Sequence, residues 1–292
     1  MKELIARASL FSQIEAGHSF WSKEIHELGS LVVYEKLLSG GYGLSKHEKL
    51  ISALRSTSGE KVIETIFNYG AQLLTPSDLV WPEQLHDLAN PPIALVVKGN
   101  AQILKTDSLA IVGTRNPTNY GARIAGDFAA GFVDREWAIV SGGAYGIDSY
   151  AHKGALIAEG ITIAIIACGI DVNYPAGNAR LFSEICESGA IVSEFMPGQK
   201  ALPNRFLIRN RLIAGLSKAT LVVEAAFRSG SLRTAREAAE IFRPVMAIPG
   251  AINSPTSEGC HRLIGERSAE IVTSVADAVE FVGVHSGQSM RE

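Results

Sequence analysis

The stretch with the most distinctive chemistry is Ser141-Gly142-Gly143-Ala144-Tyr145-Gly146-Ile147-Asp148, which follows the apolar run 137–140 and precedes a segment of helical periodicity. This order predicts a strand, a glycine turn and a helix. Glycine lets backbone N–H groups approach an anion, and a helix start adds unpaired donors and the positive end of the helix dipole. The stretch therefore favours a phosphorylated ligand. Its spacing matches the dinucleotide fingerprint only in part, because Ser141 stands where the first glycine belongs, so a turn without a ligand is the alternative.

Other small-residue loops also follow apolar runs. Gly113-Thr114-Arg115 combines a glycine turn with an arginine that can hold a phosphate. Ser229-Gly230-Ser231, with Thr234 behind it, again places small residues at the start of a predicted helix. Because open α/β sheets bind ligands beyond the carboxyl ends of their strands, we expect these loops to border one crevice. Tyr174 follows a third strand and either stacks on a base or covers the core; an isolated tyrosine is more typical of core cover.

The densest basic element is the segment 203–217, which contains Arg205, Phe206, Arg209, Asn210 and Arg211. It lies in the segment 196–243, which contains nine Lys and Arg and three Asp and Glu, so its net charge is 9 − 3 = +6. The net charge of the whole chain is −3. Arginines beside an aromatic ring are what single-stranded nucleic acid requires, because phosphates need cations and unpaired bases need a stacking surface. The alternative is that Phe206 belongs to the core and the arginines pair with carboxylates such as Glu194 and Glu224.

No catalytic constellation emerges from the sequence. HExxH, GxSxG and Walker-type phosphate motifs are missing, and so is any metal-ligand spacing. Asp148 is interpreted as a helix cap and His152 as a buried hydrogen-bonded residue. Glu194 and Glu224 end strands and are either an acid/base pair or anchors for arginines. We therefore predict a protein that is not an enzyme, with no catalytic residues, no metal and no cofactor.

Composition and chain features favour a cytoplasmic protein. The chain has 292 residues, 47% of them hydrophobic, which is enough for a large packed core. Its three cysteines show no CxxC spacing and suit a reducing compartment. We find neither a signal peptide nor an apolar run long enough to span a membrane.

From residue 108 onward, apolar runs alternate with amphipathic segments, a pattern typical of parallel strands covered by helices on both faces. The predicted strands are 109–112, 137–140, 162–167, 190–193, 219–223, 244–248 and 270–273. The predicted helices are 119–134, 148–159, 176–187, 208–217, 231–242 and 257–266. Right-handed crossovers make this an α/β fold with an extended Rossmann-like, doubly wound, mostly parallel sheet.

The chain divides into four predicted regions. Residues 1–70 form a small helical module, and residues 71–107, rich in proline, form an extension leading into the core. Residues 108–283 are the Rossmann-like core, and residues 284–292 are a short polar tail that we expect to be mobile.

An ordered series of motifs resembles the DNA-processing protein A family, DprA or Smf. The motifs are Trp81-Pro82, Ile111–Arg115, Tyr120-Gly121, Ser141–Ala144, Gly146–Asp148, Ala151-His152, Gly169, Asp171, Tyr174-Pro175, Ser193-Glu194, Arg209–Ser217, Val223–Ala225, Ser229–Leu232, Thr234-Ala235 and Ile248–Gly250. They run from about residue 71 to residue 272. So many matches in order make a chance resemblance improbable.

The resemblance implies sequence-independent binding of single-stranded DNA, homodimers, and loading of the RecA recombinase during natural transformation of competent cells. It also implies that the N-terminal module is of the sterile-alpha-motif-like or helix-hairpin-helix type. The residues then expected to bind DNA are Gly113, Thr114, Arg115, Ser141, Gly142, Gly143, Gly146, Arg205, Phe206, Arg209, Asn210, Arg211, Ser229, Gly230, Ser231 and Thr234.

This chain departs from the family pattern in three places. Leu207 replaces a proline that usually follows the phenylalanine, Cys260-His261-Arg262 replaces an asparagine-containing turn, and the winged helix of many members has no counterpart. A second, more distant resemblance is to lysine-decarboxylase-like phosphoribohydrolases, because Thr234 and Glu237 keep the spacing of their PGGxGTxxE loop. Arg233 stands where that loop has its last glycine, and its side chain would obstruct the backbone approach. The spacing of Thr234 and Glu237 makes a nucleotide phosphoribohydrolase the alternative function, and Arg233 argues against it.

Overall fold

The computed structural model describes residues 1–286, which fall into two compact units. The first unit contains residues 1–98, 167–172 and 192–208, and the second contains the remaining segments. Of the predicted tail 284–292, the first three residues belong to a helix, and residues 287–292 lie outside the described part of the chain. No helix within residues 1–286 is both long and apolar enough to cross a bilayer.

The first unit begins with the predicted helical module. Its helices are α1 (Lys2–Gln13), α2 (Ser19–Leu28), α3 (Ser30–Leu38), α4 (Glu48–Ser56) and α5 (Gly59–Asn68). Strands β1 (Gln72–Leu74) and β2 (Leu95–Gly99) follow and pair antiparallel, with Leu73 opposite Val96. The carboxylate of Glu3 fastens α1 to α3 by accepting the N–H groups of Ser30 and Leu31, each at 2.8 Å. It thereby satisfies donors at the start of α3 that have no partner within the helix.

The second unit is built on six parallel strands, in the spatial order β5-β4-β3-β7-β8-β9. They are β3 (Ser108–Val112), β4 (Ala138–Ser141), β5 (Thr162–Ile166), β7 (Ala219–Val222), β8 (Val245–Ala247) and β9 (Glu270–Ile271). A further strand, β6 (Ala190–Ser193), spans the boundary between the two units. The mostly parallel, doubly wound sheet is thus confirmed, and β3 to β8 are almost wholly buried because their runs are apolar on both faces.

The helices of this unit alternate with the strands. They are α6 (Asn119–Val133), α7 (Ile147–Ile157), α8 (Ala179–Ser188), α9 (Pro203–Leu216, its residues from 209 onward), α10 (Ser231–Glu240), α11 (Glu258–Gly265) and α12 (Val275–Ser286). Phe128 and Phe132 of α6 pack with Leu109, Ile111 and Met246 of the sheet in the main hydrophobic core.

The predicted strands agree with the structure to within two residues at each end, but three helices differ. Helix α8 begins at Ala179, three residues after the predicted start, because residues 176–178 form a short 3₁₀ helix. Helix α9 begins at Pro203, five residues before the predicted start, because proline is well accommodated at a first helical position. Helix α12 was not predicted. Its start carries a capping box that the sequence analysis missed: Ser274 Oγ accepts the Asp277 N–H, and Asp277 Oδ2 accepts the Ser274 N–H, both at 3.1 Å.

The strand order fixes where a ligand can enter the second unit. From β3 the chain continues to β4 and β5 on one side, and later to β7, β8 and β9 on the other side. The order therefore reverses between β3 and β7. In such sheets the loops leaving the carboxyl ends at this switch point enclose a crevice.

Candidate functional site

The loop after β3 is shaped by close packing. A Cβ on Gly113 would lie 2.7 Å from the Glu224 carbonyl oxygen and 2.6 Å from the Ile147 side chain, so only glycine fits. The Thr114 N–H donates to the Glu224 carbonyl at 2.6 Å, and the Thr114 carbonyl accepts the Ile147 N–H at 3.1 Å. These bonds hold the loop and leave the Arg115 side chain exposed at its tip.

Glu224, at the end of β7, organises the neighbouring turns. Its carboxylate accepts the Thr118 N–H at 2.9 Å, the Thr118 hydroxyl at 2.6 Å and the Thr256 hydroxyl at 3.3 Å. Thr118 Oγ1 in turn accepts the Gly121 N–H at the start of α6. With its acceptor positions occupied by these donors, Glu224 is a structural anchor for the loops. Neither an acid/base role nor the pairing with arginines matches these contacts.

The glycine loop 141–148 is closed by its own carboxylate. Asp148 Oδ2 accepts the N–H groups of Gly142 at 3.1 Å and Ala144 at 3.4 Å. Asp148 was predicted to cap its helix; instead it reaches back into the loop. Burial raises the pKa of this carboxyl, although Arg209 and the two loop N–H groups oppose the shift. Two of the donors predicted for a phosphate are therefore already engaged within the protein.

Ser141 and Arg209 support this loop from inside. The Ser141 hydroxyl is fully buried and donates to the Ile111 carbonyl at 2.6 Å. The Arg209 guanidinium, with only 4% of the residue exposed, lies directly against the Cα of Gly142, where any Cβ would collide with it. Both side chains therefore support the loop, and their contact with DNA stays a prediction.

His152 is buried near Arg209. Thr162 donates its hydroxyl proton to the Ile139 carbonyl at 2.8 Å, so the 2.7 Å contact with His152 Nδ1 places a proton on that nitrogen. Burial and the nearby Arg209 lower the pKa of His152 to about 3. The residue is a buried neutral histidine, as the sequence indicated.

Two residues outside the predicted site join a second loop to the glycine loop. Asn178 Nδ2 donates to the Gly143 carbonyl at 2.9 Å and to the Ser149 hydroxyl at 2.8 Å. The Tyr145 hydroxyl accepts the Gly177 N–H at 3.2 Å. Sequence spacing contains no signal for the amide of Asn178, because its partners lie about 30 residues away. Tyr174, in the same loop, is 45% exposed, so its predicted role as a core cover is wrong.

The second small-residue turn has a different character. Gly230 is exposed, and a Cβ added there would meet nothing within 4 Å. The hydroxyls of Ser229 and Ser231 bond to each other at 2.7 Å, and Asn210 Nδ2 donates to the Gly230 carbonyl at 3.2 Å. Thr234, behind the turn, is buried. This turn presents backbone to solvent at the start of α10.

The arginines of α9 are held inside the protein. In the first unit, Arg205 is buried, bonds to the Glu15 carboxylate and the Lys200 carbonyl at 2.9 Å each, and lies 4.6 Å from the Phe195 ring centre. Its carboxylate partner is thus neither of the two that the sequence suggested. Phe206 is half-buried. In the second unit, Arg211 is buried, as is Arg209.

The predicted DNA-binding residues therefore separate by exposure. Arg115 and Gly230 are exposed, and Gly113, Thr114, Gly146, Phe206 and Ser229 are half-buried. The others are buried, namely Ser141, Gly142, Gly143, Arg205, Arg209, Asn210, Arg211, Ser231 and Thr234. Within residues 1–286, no cluster of three or more His, Cys, Asp or Glu is arranged to hold a metal ion.

Arg233 and Glu237, the residues that bear on the alternative function as a phosphoribohydrolase, form an ordinary ion pair on one helix. Arg233 Nε donates to Glu237 Oε1 at 2.6 Å, and the pair is spaced i, i+4 on α10. A carboxylate paired with an arginine one turn away on the same helix is the usual arrangement of a surface ion pair.

Comparison with known proteins agrees with this architecture. Residues 72–283 match the family model described as DNA recombination-mediator protein A. The putative DNA processing protein DprA of Mycobacterium tuberculosis H37Rv is 42% identical over 239 residues, a match covering 77% of this chain and 61% of that relative's length.

Two solved structures resemble the chain in three dimensions. DNA processing protein A from Streptococcus pneumoniae has a TM-score of 0.74 and 38% identity, covering 79% of this chain and 80% of that one. DNA processing protein A from Helicobacter pylori, solved to explain its single-stranded DNA binding mode, has a TM-score of 0.67 and 30% identity, covering 73% and 97%. The family description is that of a recombination mediator rather than an enzyme. This chain belongs to the DNA-processing protein A family, DprA or Smf.

Proposed function

We propose that the chain binds single-stranded DNA without sequence preference and passes it to the RecA recombinase. The observation that carries this proposal is family membership together with the Helicobacter pylori relative, whose structure concerns single-stranded DNA binding. In the second unit, the exposed Arg115 and the open turn at Gly230 lie after β3 and β7, where the strand order reverses. A cation at an exposed loop tip is suited to phosphates, which every DNA sequence shares.

The binding step is tested by fluorescence anisotropy with labelled oligonucleotides of mixed sequence, single-stranded and double-stranded. We expect tighter binding of the single strand and a steep loss of affinity with rising salt, because phosphate contacts release counterions. Arg115→Ala should weaken binding equally for all sequences and reduce the salt slope by about one. An affinity that barely changes with salt would rule out a phosphate-dominated interface.

RecA loading is tested by following RecA-dependent ATP hydrolysis on single-stranded DNA coated with single-strand-binding protein. We expect the chain to shorten the lag before hydrolysis, and Arg115→Ala to restore the lag. An unchanged lag with wild-type protein that binds DNA normally would separate DNA binding from recombinase loading.

The remaining parts of the proposal concern the oligomeric state and the cellular setting. We propose a homodimer acting in the cytoplasm during uptake of DNA by competent cells. Light scattering at micromolar concentration tests the first part, with twice the chain mass of 31.2 kDa expected. A mass that stays at that of one chain, 31.2 kDa, across the concentration range would count against it.

A further inference from the structure

We propose that Tyr145 and Tyr174 form a platform on which unpaired bases stack, beside a phosphate held by Arg115. The inference rests on the proposed binding of single-stranded DNA and adds the residues that hold the bases. Tyr145 is not among the residues expected from the sequence to bind DNA, and for Tyr174 stacking on a base was the less favoured of two alternatives.

The first step is what the glycine loop presents outward. Two of its N–H groups, those of Gly142 and Ala144, are already bound by Asp148. Its outward feature is the Tyr145 side chain, of which 49% is exposed. An aromatic ring at the carboxyl edge of β4 offers a flat surface to a base, and every base has a π-face that can stack on it.

The second step is that this ring is held in place. The Tyr145 hydroxyl accepts the Gly177 N–H at 3.2 Å. A Cβ at Gly177 would lie 3.2 Å and 3.3 Å from the ring atoms Cε1 and Cζ, so the absence of a side chain lets the ring rest against the loop backbone. A ring already fixed loses little conformational entropy when a base stacks on it.

The third step adds Tyr174 to the same surface. It lies three residues before Gly177, in the loop that Asn178 fastens to the Gly143 carbonyl at 2.9 Å. Nearly half of Tyr174 is exposed. Two exposed rings thus stand on two loops that are bonded to each other.

The fourth step is charge. Gly146, which follows Tyr145, is packed so closely against the loop after β3 that a Cβ would lie 2.6 Å from the Arg115 carbonyl oxygen. The backbone that carries the exposed Arg115 side chain therefore lies against the residue that follows Tyr145. A neighbouring cation and aromatic surface match one nucleotide of a single strand, which carries a phosphate and an unstacked base; in a duplex the bases are already stacked on each other.

The test compares Tyr145→Ala, Tyr174→Ala and the double variant with a matched control, Phe242→Ala. Phe242 is 94% exposed and precedes β8, so it stands at the amino edge of the same parallel sheet. We expect each tyrosine variant to bind a single-stranded oligonucleotide roughly tenfold more weakly, with an unchanged salt slope, because a stacking contact but no phosphate contact is lost. Tyr145→Phe should retain most of the affinity, and Phe242→Ala should match the wild type.

An oligonucleotide with abasic sites separates stacking from a structural effect. Removing the bases should weaken the wild type by about the factor that the double variant loses, and should cost the double variant much less. If the wild type fails to bind any single strand, the proposed function fails. If the wild type binds, but the double variant binds equally well or shows the full abasic penalty, the platform is overturned and the function stands.

Discussion

The two small-residue turns of the second unit look alike in sequence and differ in structure. Both follow a buried strand and open a helix. In the turn at 141–148 a carboxylate accepts two of the loop's N–H groups, whereas in the turn at 229–231 the uncharged Ser229 hydroxyl accepts the Ser231 N–H at 3.3 Å. The first is packed from inside by Arg209, and the second is open at Gly230. Whether a glycine turn at a helix start can bind an anion thus depends on how its donors are engaged within the protein and on whether its backbone is open to solvent.

The largest effect should come from removing that acceptor. Asp148→Ala leaves two loop N–H groups without their acceptor and takes the carboxylate away from the buried Arg209. A donor left without its acceptor typically costs about 1–3 kcal/mol, and two donors lose theirs in this variant. Urea unfolding should show a loss of that order in the free energy of unfolding. A loss below about 1 kcal/mol would mean that the loop does not depend on its internal carboxylate.

A smaller effect is expected from crowding the same loop. In Gly142→Ala the new methyl group collides with the Arg209 guanidinium, which is itself buried. Overpacking of this kind costs about 1–3 kcal/mol. Thermal and urea unfolding of this variant are the measurements, and unfolding at wild-type stability would contradict the packing described for Arg209.

The closed turn should also make stability depend on pH. His152, on α7, has a pKa of about 3 when folded, against an ordinary value near 6.5, so between these values the unfolded chain binds more protons. The free energy of unfolding should therefore fall as pH drops from about 6.5 towards 3, by up to about 1.4 kcal/mol per pH unit from this group. Helix α10, behind the open turn, contains no histidine.

The matched variant for the pH experiment is His152→Leu, which keeps an uncharged side chain at every pH. Urea unfolding from pH 7 to pH 5 should show a shallower loss of stability in the variant than in the wild type. Equal slopes in the two proteins would show that His152 is not kept neutral by burial.

The smallest effect on stability should arise at the open turn. Gly230 has an ordinary helical φ of −63°, and a Cβ there meets no atom within 4 Å. Gly230→Ala should change the free energy of unfolding by less than about 0.5 kcal/mol. If the turn holds a phosphate, the same variant should weaken single-stranded DNA binding. A large loss of stability would erase the contrast between the two turns.

Much of the fold was predictable from local pattern. Buried parallel strands need apolar runs on both faces, and those runs located six strands of the second unit to within two residues. Helix α12 does not follow from an amphipathic period; its start is marked by the capping box from Ser274 to Asp277. The start of α9 lies five residues before the predicted one, because Pro203 is accommodated as a first helical residue.

The candidate site was predictable only in part. The loops that meet at the carboxyl edge of the second unit follow from the strand order, and the exposed Arg115 lies where the sequence placed it. The directions of Asp148, Arg205 and Arg209 did not follow. Asp148 accepts the N–H groups of Gly142 and Ala144, Arg205 bonds to Glu15, and Arg209 lies against the Gly142 backbone. No periodicity in the sequence indicates these partners.

The sequence by itself determined the family, the alternation of strands and helices, and the position of the loops beyond the strand ends. These properties depend on hydrophobic period and on glycine spacing, which are local along the chain. Only the tertiary structure decided which donors, cations and rings remain open to a ligand. Whether an N–H or a guanidinium is occupied depends on groups brought close by folding, as Asp148 is to the glycine loop and Gly177 is to Tyr145.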